Sequence, residues 1–261
     1  MKIGVIIISC DKFKDTWSVV SESFDRHFPY SLFNVYLLSN HLEFKHNLIN
    51  NIRVGDDLSW SENLKKALKT IPESHVLLWL DDVFLSDTIN QNQIFKIFSF
   101  MEKWDPNYLR LSTSLSPSYW LDSDFGVIKS NALYYRSSIF ASIWKKNVLI
   151  DLLVDGESAW DFEIFGSDRT KTYEGFYSIK HDIFNYIHGI EKGFWIREAA
   201  VKLKELGYKL DFTYRPLMSN KNQNIVFRYS KLKKLLLRIT PAKFRKDLLL
   251  MYQIIIKPIF R

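Results

Sequence analysis

Short continuous apolar runs and stretches of helical spacing follow one another over the first 85 residues. Residues 2–8 form a β-branched run, which predicts a buried strand. In residues 15–27, Trp17, Val20 and Phe24 recur at helical spacing, so a helix is expected there. The pattern then predicts two strands, a second helix and a fourth strand, at 34–40, 50–55, 59–71 and 75–85.

This order of elements predicts an α/β sheet whose central strands are mostly parallel. Ligands of open α/β sheets bind outside the carboxyl ends of the strands. Polar residues follow three of the predicted strands at such ends: Ser9 to Asp11, Ser39-Asn40 and Asp81-Asp82. A ligand site is therefore expected at this edge of the sheet.

The rest of the first 220 residues continues the pattern without a repeat or an obvious linker. A helix is predicted over 91–104, and short aromatic strands and turns over 108–146. Helical character is expected again over 137–156, and a further helix over 196–206 with Gly207 as its C-terminal stop. We expect residues 1–220 to form one domain.

Composition fits a large folded domain in a reducing compartment. The 261 residues are 47% hydrophobic and 16% aromatic, enough for a substantial core. The lone Cys10 excludes an internal disulfide framework, and no Cys/His cluster has zinc spacing, so a cytosolic location is expected. The N-terminal apolar run is too short for a signal peptide, and no stretch reaches the roughly 18 apolar residues of a membrane span.

The net charge of +7 belongs to the C-terminal segment. Residues 221–261 hold eleven Lys/Arg against one acid, Asp247, a net +10, which leaves −3 for residues 1–220. Cationic clusters alternate there with aliphatic runs, and Pro241 divides two helical candidates. This pattern predicts a basic amphipathic helical tail on an anionic membrane surface. A helix pair docked on the domain is the alternative. The aliphatic load disfavours nucleic-acid binding.

Asp81 and Asp82 stand side by side after the apolar run "VLLWL". Adjacent carboxylates at a buried strand end repel each other and lose hydration, unless a cation lies beside them. Mg²⁺ or Mn²⁺ prefers such oxygen ligands and commonly keeps substrate phosphates as further ligands. We therefore expect a divalent cation and a diphosphate substrate. The alternative is that Asp81 caps the following turn and Asp82 is solvated.

The predicted helix at 59–71 offers a second candidate contact. Ser59 or Ser61 can cap it, with Glu62 at the capping-box position of Ser59, and its first N–H groups can meet an anion. Asn63 and Lys66 lie one turn apart near that end. An ordinary amphipathic surface helix is the alternative.

The segment "GESAWDFEIFGS" (156–167) surrounds its acids with aromatic side chains. A carboxylate shielded from water can have its pKa raised toward working pH, as a general base requires. Glu163 and Asp161 are the candidates. Because residues two apart on a helix do not share a face, at most one is expected to face the site. An acidic helix start with aromatics in the core is the alternative.

Taken together, "WSENLKKAL", "LLWLDDVFL", "YYRSSIFASIWKK", "GESAWDFEIFGS" and "EKGFW" resemble a group of bacterial glycosyltransferases of capsule and lipopolysaccharide O-antigen assembly. The resemblance spans roughly residues 1–216. It implies a GT-A-like (Rossmann-like) mixed sheet flanked by helices, followed here by the basic tail at 221–261. By the same resemblance, Asp81 and Asp82 bind Mn²⁺ or Mg²⁺, and Ser9, Asp11 and Asn40 hold the nucleobase or ribose.

The remaining site residues are also implied by the resemblance. Asn63 contacts the sugar donor, and Glu163, or failing that Asp161, is the base. The acidic pair departs from the usual Asp-x-Asp pattern, which affects the number of metal ligands. Relatives often supply a histidine ligand from the C-terminal part. His181 and His188 qualify by position, and His188 is preferred, with Lys192 beside it for the diphosphate.

The resemblance implies transfer of a sugar from a nucleotide sugar, with a UDP-sugar expected, to a hydroxyl of a glycan or of an undecaprenyl-diphosphate-linked acceptor. Inversion at the sugar is expected, and retention is the alternative. We expect a peripheral protein on the inner face of the bacterial cytoplasmic membrane. Two other functions stay open. One is a non-catalytic sugar-nucleotide or carbohydrate-binding protein, and the other is a nucleotidyltransferase that releases pyrophosphate.

Overall fold

A computed structural model describes residues 2–114, 116–130 and 136–220, together with residues 236, 240, 244, 248 and 251. Apart from these five single residues, the predicted helices of the basic tail lie outside the described residues. In the described part of the chain, no helix has the length and apolar character needed to cross a membrane.

The strands are β1 (Ile3–Ile8), β2 (Phe33–Ser39), β3 (Ile49–Arg53), β4 (His75–Leu80), β5 (Val83–Leu85), β6 (Tyr108–Arg110), β7 (Tyr119–Trp120), β8 (Phe125–Val127), β9 (Ser142–Lys145), β10 (Phe176–Ile179), β11 (Tyr186–His188), β12 (Ile190–Glu191) and β13 (Phe194–Trp195). The α-helices are α1 (Lys14–His27), α2 (Trp60–Thr70), α3 (Gln91–Trp104), α4 (Lys146–Leu152), α5 (Ala159–Asp161), α6 (Ser167–Arg169) and α7 (Arg197–Glu205). A π-helical segment, Phe162–Gly166, joins α5 to α6, and single 3₁₀ turns span Asp11–Phe13, Tyr30–Leu32 and Thr170–Thr172.

Nine strands form one mixed sheet in the order β3-β2-β1-β4-β9-β6-β10-β8-β7. Strands β1 to β4 are mutually parallel, and β9 and β8 run antiparallel to their neighbours. Helices cover the sheet, so the predicted α/β class with a mixed, Rossmann-like sheet is confirmed. The chain places β2 and β3 on one side of β1 and β4 on the other. Between β1 and β4 the order of winding therefore reverses.

The central strands β1 and β4 are buried on both faces of the sheet. Successive side chains of a strand point to opposite faces, so each strand contributes to two layers of core. Ile6 and Leu78 pack in a cluster with Leu64 of α2 and Leu149 of α4. On the other face, the ring of Trp79 meets Phe24 of α1 edge-on, with ring centroids 5.5 Å apart. This packing on two faces explains why β1 and β4 appear in the sequence as continuous apolar runs rather than alternating ones.

Two predicted elements are wrong in part. The strand predicted over 75–85 is two strands: β4 ends at Leu80, the chain turns at Asp81-Asp82, and β5 pairs with β11 outside the nine-stranded sheet. The prediction of a helix over 137–156 overlaps that of short strands over 108–146. In the overlap the strand prediction holds, because Ser142–Lys145 form β9 between β4 and β6, and only Lys146–Leu152 are helical. The backbone of β9 pairs with β4 from His75↔Lys145 to Leu78↔Ser142. This pairing depends on β4, more than 60 residues away in the chain, so the local periodicity of the sequence does not reveal it.

The chain divides into two compact units, residues 1–187 and 188–261. A separate two-stranded sheet joins β5 to β11, where the first unit ends. In the second unit, β12 and β13 form a hairpin and α7 follows, ending near Gly207 with φ +84° as predicted. The boundary predicted at residues 220 and 221 stays a prediction.

Candidate functional site

The reversal between β1 and β4 brings Ser9 and Asp81 together. Ile8 pairs with Leu80 in the parallel register, so the next residue on each strand reaches the same edge of the sheet. The Ser9 hydroxyl donates a hydrogen bond to Oδ2 of Asp81. Asp81 is only 7% exposed, and Asp82 beside it is half-buried in the turn before β5. The predicted cluster of strand-end residues is therefore formed here.

Asp11 and Asn40 join the ends of β1 and β2 reciprocally. The backbone N–H of Asp11 donates to Oδ1 of Asn40 at 3.2 Å, and the Asn40 N–H donates to Oδ1 of Asp11 at 3.0 Å. The Asp11 carboxylate also accepts from the N–H groups of His41 and Leu42. Both side chains fix the loops of the site, and their predicted contact with a nucleotide stays a prediction.

Asn63 and Asp57 form a second part of the site. Nδ2 of Asn63 donates to Oδ1 of Asp57 at 2.8 Å, whereas its buried Oδ1 has no hydrogen-bond partner in the described part of the chain. Asn63 is 6% exposed, so this acceptor is costly to leave unmet. Burial raises the pKa of the Cys10 thiol, and the charges of Asp81 and Asp57 raise it further. Cys10 thus lies in the field of both carboxylates.

Sequence reasoning missed Asp57. The signal that pointed to it is Gly55, which turns the chain after β3 with φ +78° and precedes two aspartates. Asp57 follows a parallel strand, as the predicted ligand residues do.

The N-terminus of α2 is occupied by protein groups. Ser59 caps it, accepting from the N–H of Glu62 at 3.2 Å, and donates to the Glu62 carboxylate at 2.7 Å. The N–H of Ser61 donates to the carbonyl of Glu157 at 3.2 Å. The predicted anion contact is therefore wrong for the N–H groups of Ser61 and Glu62. The predicted cap at Ser59 is confirmed, with Glu62 bonded to the Ser59 hydroxyl.

Asp161 and Glu163 have different partners. Ser158 caps α5, and Oδ2 of Asp161 accepts from the N–H and the hydroxyl of Ser158 at 3.0 and 2.6 Å. Glu163 lies in the π-helical segment, a distortion that is frequent at functional sites. Its Oε1 accepts from the Ser138 hydroxyl and the Ile139 N–H, both at 3.2 Å.

Glu163 lies at the same edge of the sheet as Asp81. Ser138 and Ile139 precede β9, whose first residue pairs with Leu78 near the end of β4. Phe140, from the same segment, contacts the ring of Trp79 at 5.2 Å between centroids. The topology thus places the candidate base beside the edge that carries the two aspartates.

Two buried arginines support this segment and were not predicted as functional. Arg136 donates to the carbonyls of Ile128, Tyr173 and Thr170, and its guanidinium lies 4.0 Å from the centre of the Phe176 ring. Burial lowers the pKa of Arg136 to about 10. Arg110 donates to the carbonyl of Arg136 at 3.2 Å. These contacts fix the chain immediately before Ser138.

Glu157, the third acid of the predicted segment, has a structural partner. Its carboxylate forms a bidentate ion pair with Arg169 at 2.8 and 2.6 Å. This pair links the two ends of the helical stretch that contains Glu163.

The second unit contains His188 and Lys192. His188 is the exposed last residue of β11, and Lys192 with Gly193 makes the two-residue turn between β12 and β13, both with positive φ. Burial lowers the pKa of the Lys192 ammonium. The roles of His188 as a metal ligand and Lys192 as a phosphate ligand stay predictions. His181, the other candidate, follows β10 in the first unit.

The donor set suits a divalent cation that brings further ligands with it. Among the residues that the structure describes, no three His, Cys, Asp or Glu side chains come together as a metal site. Asp81 and Asp82 supply carboxylate oxygens alone, and Mg²⁺ commonly binds one or two carboxylates together with substrate phosphates and waters. The residues present therefore fit Mg²⁺ or Mn²⁺ only with a phosphate-bearing substrate.

Comparison with known proteins gives similarity of fold. No protein-family model and no curated protein matches the sequence. A UTP-bound UGPase from Acinetobacter baumannii matches with a TM-score of 0.53 and 11% identity, over 92% of this chain and all of that one. A UDP-glucose pyrophosphorylase complexed with UDP-glucose matches with a TM-score of 0.53 and 6% identity, over 80% of this chain and 99% of that one.

A third match is TarS 1–349 of S. aureus, with a TM-score of 0.49 and 14% identity over 71% of this chain. The chain spans 60% of the length of that TarS fragment. At identities this low, the two pyrophosphorylase matches establish a shared α/β fold and nothing narrower.

Proposed function

We propose that the protein is a glycosyltransferase that binds a nucleotide-diphosphate sugar at the carboxyl ends of β1 and β4. The sugar would pass to a hydroxyl of a glycan or a lipid-linked acceptor in bacterial surface polysaccharide synthesis. The observation that carries the proposal is the contact of Ser9 with Asp81 at the reversal of the sheet, with Asp82 next to it. Open α/β sheets bind their ligands at this place.

The fold neighbours support the choice of ligand. Pyrophosphorylases of the same fold hold UDP-glucose or UTP. A uridine nucleotide sugar is therefore the first donor to test. The unmet Oδ1 of Asn63 supports this placement, since a ligand N–H or hydroxyl would supply the missing donor.

Asp81 and Asp82 would hold the divalent cation. When bound, such an ion stabilises the negative charge that develops on the departing diphosphate as a Lewis acid. The tail at 221–261 would hold the enzyme against anionic lipids, where a lipid-diphosphate acceptor resides.

Glu163 would act as the general base. It takes the proton from the acceptor hydroxyl as that oxygen attacks the sugar carbon opposite the departing phosphate, which inverts the configuration. Ser138 and Ile139 donate to one carboxylate oxygen, Oε1, and so orient the group. Asp161, engaged in the capping box with Ser158, is the weaker candidate.

A nucleotidyltransferase is the second candidate, and the pyrophosphorylase matches favour it. One feature of the chain argues for glycosyl transfer instead. Backbone cradles for a triphosphate rely on glycine-rich loops, which let N–H groups approach the phosphates. Here the sequence has no glycine between Gly4 and Gly55, so the loop after β1 lacks that device.

The products separate the two candidates. Purified protein with UDP-sugars and Mn²⁺ is expected to release UDP slowly by donor hydrolysis, and faster with acceptor. Release should be lost in Asp82→Asn and in Glu163→Gln. Release of pyrophosphate from UTP and a sugar 1-phosphate would overturn glycosyl transfer in favour of the nucleotidyltransferase. Binding of the UDP-sugar without release of any product would indicate a non-catalytic binding protein.

A further inference from the structure

Trp17 and Asp81 are bridged by a single hydroxyl. Nε1 of Trp17 donates to Oγ of Ser9 at 2.7 Å, and Oγ of Ser9 donates to Oδ2 of Asp81. Trp17 is 3% exposed and lies on α1, whereas Asp81 follows β4. The hydrogen bonds therefore connect the helix to the strand end through the loop after β1.

The direction of these hydrogen bonds is fixed by chemistry. An indole N–H only donates, so Ser9 must accept from Trp17. Its one proton then has two acceptors to choose from. The carbonyl of Cys10 lies at 3.4 Å, while the Asp81 oxygen is much closer. The Ser9 hydroxyl therefore donates its hydrogen bond to the Asp81 carboxylate.

This arrangement differs from the role predicted for Ser9. The hydroxyl gives its proton to Asp81 and accepts the Trp17 N–H, so its main interactions lie within the protein. A carboxylate next to a second carboxylate tends to rotate away from it, because like charges repel. A half-buried donor aimed at one oxygen opposes this rotation and keeps the carboxylate in one orientation.

We propose that Ser9 and Trp17 are positioning residues that hold the Asp81 carboxylate in place to bind a divalent cation. The inference rests on the proposed function, in which Asp81 and Asp82 are the cation's carboxylate ligands. Removing a hydrogen-bond partner of a metal ligand typically lowers metal affinity or activity by about 10- to 100-fold. Ser9 and Trp17 would have this effect without touching the ion.

The test measures Mn²⁺ binding directly, by the electron paramagnetic resonance signal of free Mn²⁺, with UDP present and no turnover. Ser9→Ala is expected to weaken Mn²⁺ binding by about tenfold or more, and Ser9→Thr, which keeps the hydroxyl, to restore it. Trp17→Phe should weaken binding in the same direction, with its folding checked by circular dichroism. Ser23→Ala is the matched control, because its buried hydroxyl donates to the carbonyl of Val20 within α1.

Activity gives an independent measure. The loss of kcat in Ser9→Ala should be recovered by raising the Mn²⁺ concentration, as a positioning role requires. Wild-type affinity in Ser9→Ala would overturn the inference, and so would equal weakening in Ser9→Ala and Ser9→Thr. Asp82→Asn, measured alongside, separates failure of the positioning role from failure of the proposed metal-assisted function. If Asp82→Asn loses Mn²⁺ and Ser9→Ala does not, only the positioning role fails. If the wild type binds no Mn²⁺ with UDP, the metal-assisted function fails with it.

Discussion

Asp161 and Glu163 lie two residues apart, yet one closes a capping box with Ser158 and the other bonds the segment before β9. The helix at 159–169 therefore divides its acids between a structural and a candidate chemical role. As expected from their spacing, the two carboxylates have different surroundings.

Glu163→Gln should lower kcat by about 10²- to 10⁴-fold, because the amide cannot accept the acceptor's proton. The dissociation constant for UDP should stay within about twofold, since Glu163 acts on the acceptor. Asp161→Ala is the paired control. It should cost about 1 kcal/mol of unfolding free energy through the lost cap and leave kcat within a few-fold. Reversed effects on kcat would assign the base to Asp161.

Asn63→Ala should weaken UDP binding by about tenfold, the value of one hydrogen bond from a buried amide. The reason is the unmet Oδ1, which a bound nucleotide would satisfy. Asn51→Ala is the control, because that amide exchanges two 2.8 Å hydrogen bonds with the backbone of Phe44. Calorimetric titration with UDP checks both. Equal affinities for Asn63→Ala and the wild type would place the nucleotide elsewhere.

Arg136→Lys should lower the free energy of unfolding by about 2–4 kcal/mol, because an ammonium cannot reach the three carbonyls that the planar guanidinium serves. Arg26→Lys is the control. Arg26 forms an exposed pair with Glu22 one turn away, so the change should cost less than about 0.5 kcal/mol. Urea unfolding followed by tryptophan fluorescence gives both values. A loss at Arg136 no larger than at Arg26 would contradict its structural role.

The buried His75 should make the protein less stable as the pH falls below neutral. Burial lowers the pKa of His75 in the fold, and Asp105, 3.4 Å away, opposes the shift only in part. The unfolded chain therefore binds more protons below the ordinary histidine pKa of about 6.5. Stability should fall as pH drops from that value toward the folded-state pKa.

The measurement for His75 is the difference in Tm between pH 7.5 and pH 5.5. In His75→Gln this difference should be smaller than in the wild type, since the glutamine does not titrate. Carboxylates shared by both proteins contribute equally and cancel. An unchanged difference would mean that His75 takes up its proton in the fold as readily as in the unfolded chain.

The sequence predicted the elements whose pattern is local. The faces of α1 and α3 and the run of β1 are decided by residues close in the chain, and these elements were found within one or two residues of their bounds. The start of β4 was also found, but its predicted end at 85 was five residues too late. The end of β1 and the end of β4 could also be placed on one edge, because parallel strands share their direction. The grouping of Ser9, Asp11, Asn40 and Asp81 followed from that rule alone.

What escaped prediction depends on partners distant in the chain. The predictions of strands up to 146 and of a helix from 137 overlap at Ser142–Lys145, and local pattern could not choose between them. This segment is a strand because β4 and β6 lie on either side of it. The hydroxyl of Ser9 turns to Asp81 because α1 places the indole of Trp17 behind it. Asp57 is held by the side-chain amide of Asn63. That contact forms because the polar loop after β3 folds back onto α2, which no local sequence pattern shows.

The central claim is that the carboxyl ends of β1 and β4 hold a cation and a nucleotide diphosphate. A crystal of the protein grown with UDP and Mn²⁺, measured at a wavelength where manganese scatters anomalously, tests it most directly. We expect an anomalous peak at coordination distance from a carboxylate oxygen of Asp81 or Asp82, with diphosphate oxygens on the same ion. UDP bound at another edge of the sheet, with both aspartates facing solvent and no peak beside them, would contradict the account.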